Sequence, residues 1–147
     1  ASTAPQIRYP DCYGIDMSEL GKFIAFQAAV ALINERGFNG LLAEVAKNCR
    51  EALKETRPNL VNHVKKVYEN FTPEEISTKV AELVSPDELN GEPQVEVIYQ
   101  GIENLHEALP DHPGDWYFTG DYPTPGGYRV AHKAFLNFYE NKNGRSY

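Results

Sequence analysis

The chain is poor in the residues that carry redox and metal chemistry: its 147 residues include two cysteines, Cys12 and Cys49, and four histidines. No paired ligand spacing joins these side chains, so a metal site is not expected. Two distant thiols and the lack of a signal-like start favour free cysteines in a reducing cytoplasm. Since no stretch of about 18 apolar residues occurs, a membrane-spanning helix is not expected either.

Basic residues are also scarce: the chain has 14 Lys and Arg against 21 Asp and Glu, which gives a net charge of -7. A nucleic-acid partner would need a basic patch, and no run of basic residues occurs, so direct nucleic-acid binding is not expected. What is present is apolar: 41% of the residues, including nine Tyr and seven Phe. That content can fill one core, so we predict a single domain over residues 1–147.

The spacing of apolar residues predicts a mainly α fold with about six helices. The first predicted helix begins at a Ser18 cap and ends at Gly37, and the second carries an apolar stripe that includes Cys49 as a core residue. A third is predicted over residues 60–71. A fourth begins at the Thr-Pro-Glu-Glu capping box at residues 72–75 and runs to about residue 85.

The second half of the chain predicts one or two short strands beside the helices, which makes the fold α+β at its margins. Residues 95–99 alternate and are β-branched, so they predict a strand, followed by a helix from Ile102 to Leu109. Prolines and glycines over residues 110–127 predict an ordered loop without a regular element. A final amphipathic helix is predicted from near Gly127.

Candidate catalytic groups are few. Glu103 and His106 lie three apart on a predicted helix, a spacing that di-metal proteins use, but the second motif of that kind is missing. Asp111, His112 and Asp115 could form an acid–base cluster, although such residues are ordinary in turns. No nucleophile elbow, Walker loop or dinucleotide-binding glycine motif occurs. We therefore assign no catalytic residue and no metal ligand.

Four segments in order resemble amidophosphoribosyltransferases. The first is Tyr-Pro-Asp-Cys-Tyr-Gly-Ile-Asp-Met at residues 9–17, and the last is Phe-Thr-Gly-Asp-Tyr-Pro-Thr at residues 118–124. Between them, Glu-Glu-Ile at residues 74–76 and the run at residues 95–108 follow the family's order. The resemblance implies the C-terminal part of a larger enzyme, which transfers glutamine-derived ammonia to phosphoribosyl pyrophosphate in the first step of purine synthesis.

The resemblance also implies which parts are elsewhere. The glutaminase cysteine and the acidic phosphoribosyl-binding loop would lie upstream of Ala1, so this segment alone is expected to be inert. The parent would use a divalent metal with phosphoribosyl pyrophosphate, and the segment's partners would be the rest of that enzyme and, in a homo-oligomer, further copies. Matching positions give the substrate-proximal candidates Tyr13, Gly14 and Asp16, and the structural motif Phe118, Thr119, Gly120, Tyr122 and Pro123.

Two departures from the family pattern stand out. Some members hold an iron–sulfur cluster on cysteines, but the matching positions here are Asp11, Gly114 and Tyr117, so no cluster is expected. In addition, about 45 extra residues separate the first motif from Glu-Glu-Ile, and their apolar periodicity predicts a helical insertion over residues 26–70. Such helices must cover their apolar faces, either on the core of this chain or in a subunit contact.

A different class of function fits the same helices. A free-standing helical module that binds another protein through the inserted helices would also contain amphipathic segments and no catalytic apparatus. The natural start of the chain discriminates the two hypotheses, because the transferase requires coding sequence upstream of Ala1 and the module requires a start codon there.

Overall fold

The computed structural model describes residues 4–11, 19–56, 60–85, 95–111, 114–142 and 146. These ranges contain six α-helices and two short 3-10 helices, which confirms the mainly α fold. The 3-10 helices span Leu20–Lys22 and His63–Val67. The α-helices are α1 (Ile24–Glu35), α2 (Leu41–Lys54), α3 (Pro73–Val84), α4 (Ile102–Ala108), α5 (Trp116–Thr119) and α6 (Pro125–Tyr139).

Helix ends follow the local sequence where a cap is present. Helix α1 ends at Glu35, and Gly37 follows in the left-handed region at a φ of 74°, as a C-terminal glycine is expected to do. Helix α3 begins with a complete capping box. The Thr72 hydroxyl accepts from the Glu75 amide at 3.2 Å, and the Glu75 carboxylate accepts from the Thr72 amide at 2.8 Å.

Replacing Thr72 with alanine is expected to lower the free energy of unfolding by about 1 kcal/mol, because one amide of the first turn loses its acceptor. Urea denaturation monitored by circular dichroism measures the change. Thr78→Ala is the matched control, since that hydroxyl donates to the Glu74 carbonyl within the same helix and caps no helix end. Equal losses in the two variants would contradict a capping role for Thr72.

The core forms where α1 packs on α3 and α2 packs on α6. Phe26 lies at its centre, fully buried, with edge contacts to Tyr68, Phe135 and Phe138 at centroid distances of 6.5, 6.2 and 4.8 Å. Cys49 on α2 is also fully buried, as the sequence predicts, and burial raises the pKa of its thiol to about 12. Within residues 26–70, helices α1 and α2 thus bury apolar side chains in the core of this chain, while the origin of the range as an insertion stays a prediction.

The N-terminal segment, residues 4–11, crosses the bundle without regular structure and is fixed by side chains. The Gln6 amide donates to the Pro73 carbonyl at 2.7 Å and to the Ser77 hydroxyl at 2.9 Å. The Tyr68 hydroxyl donates to the Arg8 carbonyl at 2.7 Å. This segment is therefore held against α3 and the core by hydrogen bonds to residues that are distant in sequence.

The predicted strand at residues 95–99 is wrong for this structure, because no strand occurs in the described ranges. The segment is irregular, and the nearest backbone bond to another part of the chain joins the Gln100 amide to the Ala4 carbonyl at 3.1 Å. A strand requires a neighbouring strand to satisfy its amides and carbonyls. The described chain supplies none, whatever the β propensity of the sequence.

Three further elements differ from the sequence predictions. The helix predicted over residues 60–71 is reduced to the 3-10 helix His63–Val67, because the Asn62 side chain accepts from the Val64 amide and begins a new turn there. The loop predicted over residues 110–127 contains α5, one helical turn closed by Gly120. Helix α6 begins earlier than predicted, since Pro125 suits the first helical position.

Candidate functional site

The described part of the first family-like motif contacts the last one. The amides of Arg8 and Tyr9 donate to the Tyr117 carbonyl at 2.8 and 3.1 Å. The buried Tyr122 hydroxyl donates to the Pro10 carbonyl at 2.7 Å. We call this contact between residues 8–10 and residues 117–122 the motif junction. It joins two segments that the sequence separates by more than a hundred positions.

Gly120 is the closest point of the motif junction. It ends α5 in the left-handed region at a φ of 73°, and a Cβ there would lie 2.7 Å from Asn62 Nδ2 and 2.9 Å from the Tyr9 ring. The Asn62 amide also donates to the Gly120 carbonyl at 2.9 Å. Only glycine combines this backbone conformation with so close an approach.

The other motif residues lie at different depths. The Thr119 hydroxyl donates to the Asp115 carbonyl and accepts from the Asp121 amide, both at 3.2 Å, which fixes the turn after α5. Phe118 is half-buried, and Pro123 is exposed. Tyr122 is buried and packs edge-on against the Tyr128 ring at 5.5 Å. These contacts are those of a folded turn, and the structural role assigned from the resemblance stays a prediction.

Replacing Tyr122 with phenylalanine is expected to lower the free energy of unfolding by about 1.5 kcal/mol, because the buried Pro10 carbonyl loses its donor. Thermal and urea unfolding measure the loss. Tyr139→Phe is the control, since that ring is 38% exposed and stacks on Phe135. The control is expected to change stability by less than about 0.5 kcal/mol. A Tyr122 variant as stable as the control would show that this hydrogen bond contributes nothing to stability.

The substrate-proximal candidates Tyr13, Gly14 and Asp16 lie outside the described residues, as does Cys12. Their neighbour Asp11 is buried at the end of the described N-terminal segment. No described contact therefore tests a role in substrate binding, and these three residues stay predictions.

Two histidines that the sequence places in separate surroundings lie together. The rings of His63 and His132 stack at a centroid distance of 5.2 Å, and the His63 backbone amide donates to His132 Nε2 at 3.3 Å. His132 is 2% exposed, and burial, reinforced by the nearby His63 and Arg129, lowers its pKa to about 4. The buried ring is therefore neutral at pH 7. No sequence spacing could reveal this pair, because 69 positions separate the two residues.

A second histidine contact lies at the surface, where His106 Nε2 is 2.7 Å from the Asp115 carboxylate. The sequence instead grouped His106 with Glu103, and Asp115 with Asp111 and His112, the last of which lies outside the described residues. Formation of α5 turns Asp115 toward α4. Because the His106 side chain is 53% exposed, the pair is open to water, and we assign it no catalytic role.

The same ranges offer no metal-binding or membrane-spanning feature. Within them, no three His, Cys, Asp or Glu side chains are grouped as metal ligands would be. No helix among the described residues combines the length and apolar character that crossing a membrane requires. Neither a protein-family model nor a curated protein nor a solved structure matches this chain.

Proposed function

We propose that this chain is the C-terminal portion of an amidophosphoribosyltransferase, the enzyme that transfers glutamine-derived ammonia to phosphoribosyl pyrophosphate. The observation that supports the proposal most directly is the motif junction. Two segments resembling the same family, 112 residues apart at Pro10 and Tyr122, are in contact through a buried hydrogen bond.

The part played by this portion is structural. The motif junction holds residues 8–10 of the N-terminal segment against the helical core. On the resemblance, Tyr13, Gly14 and Asp16 are the substrate-proximal candidates, while the glutaminase cysteine, the phosphoribosyl loop and the divalent metal belong to the upstream part of the enzyme. The helical portion would position these residues and perform no chemistry.

The alternative, a helical module that binds a partner through the inserted helices, receives less support. Helices α1 and α2 bury their apolar faces on α3 and α6 of the same chain. A docking helix would need such a face uncovered. We therefore favour the transferase.

The complete natural reading frame that contains this chain provides the test. We expect the purified product to release pyrophosphate and glutamate in equal amounts when both glutamine and phosphoribosyl pyrophosphate are supplied with a divalent metal. The 147-residue chain alone should release neither. A complete frame that begins at Ala1, or a longer product without this activity, would refute the proposal.

The substrate-proximal candidates can be tested in the same enzyme. Asp16→Asn is expected to reduce kcat/KM at least tenfold with an unchanged Tm if the carboxylate faces substrate, a loss equal to about 1.4 kcal/mol of transition-state stabilisation. A parallel fall in Tm and activity would instead assign Asp16 to structure.

A further inference from the structure

A groove of about 1090 Å³ runs between α3 and the segment at residues 95–103. Its floor includes Gln6 of the N-terminal segment, and its wall is one face of α3. Ser77, Thr78 and Ala81 supply the middle of that wall, so the groove is lined there by small side chains. A groove of this size accommodates a peptide segment.

The opposite wall is the segment at residues 95–99, which has the side-chain pattern of a strand without a strand partner. Val97 packs against the core, and Tyr99 is half-buried, with its pKa raised by that burial. The intervening Ile98 points outward and is 72% exposed. Across the described chain, the backbone amides and carbonyls of residues 95–99 form no hydrogen bond with one another or with a neighbouring segment. Such an edge can pair with an added strand.

The charge of the groove selects the occupant. Glu74, Glu82, Glu96 and Glu103 line it, and among the described lining residues Arg8 is the one cation. The Arg8 guanidinium already donates to the side-chain oxygen Oε1 of Gln6, at 2.6 and 3.0 Å, and lies over the Tyr68 ring. Of the carboxylates, only Glu82 has a lysine partner within the described residues. An occupant therefore meets uncompensated negative charge beside the exposed Ile98.

We propose that residues 95–99 are a docking edge for an extended segment of another polypeptide, in which lysine or arginine alternates with β-branched residues. The segment lies in the groove against α3 and adds a strand to residues 95–99. Its backbone bonds to the amides and carbonyls of residues 95–99 that have no partner among the described residues, its apolar side chains cover Ile98, and its cations face the glutamates. The inference does not depend on the transferase assignment.

A synthetic peptide of alternating lysine and valine, six residues long, acetylated, amidated and labelled with a fluorophore, is the probe. Anisotropy titration with the full chain at low ionic strength is expected to give saturable binding, at least tenfold tighter than a peptide with glutamate in place of lysine. Glu96→Gln and Glu103→Gln should each weaken binding about two- to fivefold. Glu51→Gln, an exposed change on α2 outside the groove, should leave it unchanged.

Location and strand pairing are tested separately. Ala81→Trp fills the groove and should abolish binding, whereas Ala43→Trp, on the exposed face of α2, should not.

Two peptides, N-methylated on alternate sets of residues, test for strand addition. Methylation of the peptide edge that pairs with residues 95–99 must prevent binding, whereas methylation of the other edge leaves binding intact. Equal binding of both methylated peptides, no binding of the lysine peptide, or binding that survives Ala81→Trp overturns the proposal. Dimerisation of the chain that only Ala81→Trp prevents also overturns it, in favour of a second copy.

Discussion

Replacing Gly120 with alanine is expected to lower the free energy of unfolding by about 4 kcal/mol, because the added methyl group meets both an unfavourable backbone conformation and packed neighbours. The left-handed backbone at a φ of 73° costs about 1–2 kcal/mol for any residue with a Cβ. The Cβ would also lie 2.7 Å from Asn62 and 2.9 Å from Tyr9. Displacing these packed groups costs a further amount of about 1–3 kcal/mol.

Two other glycines separate these contributions. Gly37 has a φ of 74°, but a Cβ added there would meet nothing within 4 Å, so Gly37→Ala should cost only about 1–2 kcal/mol. Gly40 has ordinary backbone and open space, and Gly40→Ala should change stability by less than about 0.5 kcal/mol. Urea unfolding of the three variants measures the series. If Gly120→Ala costs no more than Gly37→Ala, the close approach at the motif junction is not real.

The helices that the sequence predicts well are those whose information is local. The capping box at Thr72 is written in four consecutive residues, and it begins α3 as predicted. The apolar stripe around Cys49 has helical spacing, and it is buried on α2. Glycine after α1 is likewise a local signal. In each case neighbouring residues alone specify the element.

The wrong secondary-structure predictions occur where contacts with residues distant in sequence determine the local conformation. Residues 95–99 have strand propensity, but a strand needs a partner that no local pattern can supply. The helix predicted over residues 60–71 is interrupted because Asn62 bonds both to the Val64 amide and to the Gly120 carbonyl, 58 positions away. The stacked His63 and His132 rings, 69 positions apart, are hidden from local sequence patterns for the same reason. A pattern with a period of three or four residues cannot encode such contacts.

Of the candidate site, the sequence predicts which segments belong to it but not how they contact each other. The two motifs could be recognised as segments, but nothing in either predicts that the Tyr122 hydroxyl reaches the Pro10 carbonyl, or that Gly120 lies against Tyr9. Their contact depends on how α5 and the N-terminal segment meet across the bundle. The family resemblance therefore identifies the two segments, whereas the contacts between them depend on tertiary packing.

Lowering the pH from 6.5 to 4 is expected to remove about 3 kcal/mol of stability through His132 alone. Its pKa falls from 6.5 to about 4 on folding, chiefly because burial disfavours the charged ring, and His63 and Arg129 add positive charge nearby. Between these values the unfolded chain binds more protons than the folded chain, so acid favours unfolding. The contribution is complete above pH 6.5 and is lost as the pH falls toward 4.

The measurement is the free energy of unfolding in urea at intervals from pH 7 to pH 4, for the wild type, His132→Gln and His106→Gln. Carboxylates such as Glu75, whose pKa is lowered by its hydrogen bond from Arg36, also lose stability in acid, and all three proteins share that loss. We therefore expect His132→Gln to be less stable at pH 7 but flatter with pH, and the exposed His106 variant to follow the wild type. If His132→Gln does not fold, nuclear magnetic resonance of the labelled imidazoles in the wild type measures the pKa of His132 directly. A His132 ring that titrates near pH 6.5 would mean that it is not buried beside His63, because burial and nearby positive charge lower the pKa of a base by more than the backbone hydrogen bond at Val61 raises it.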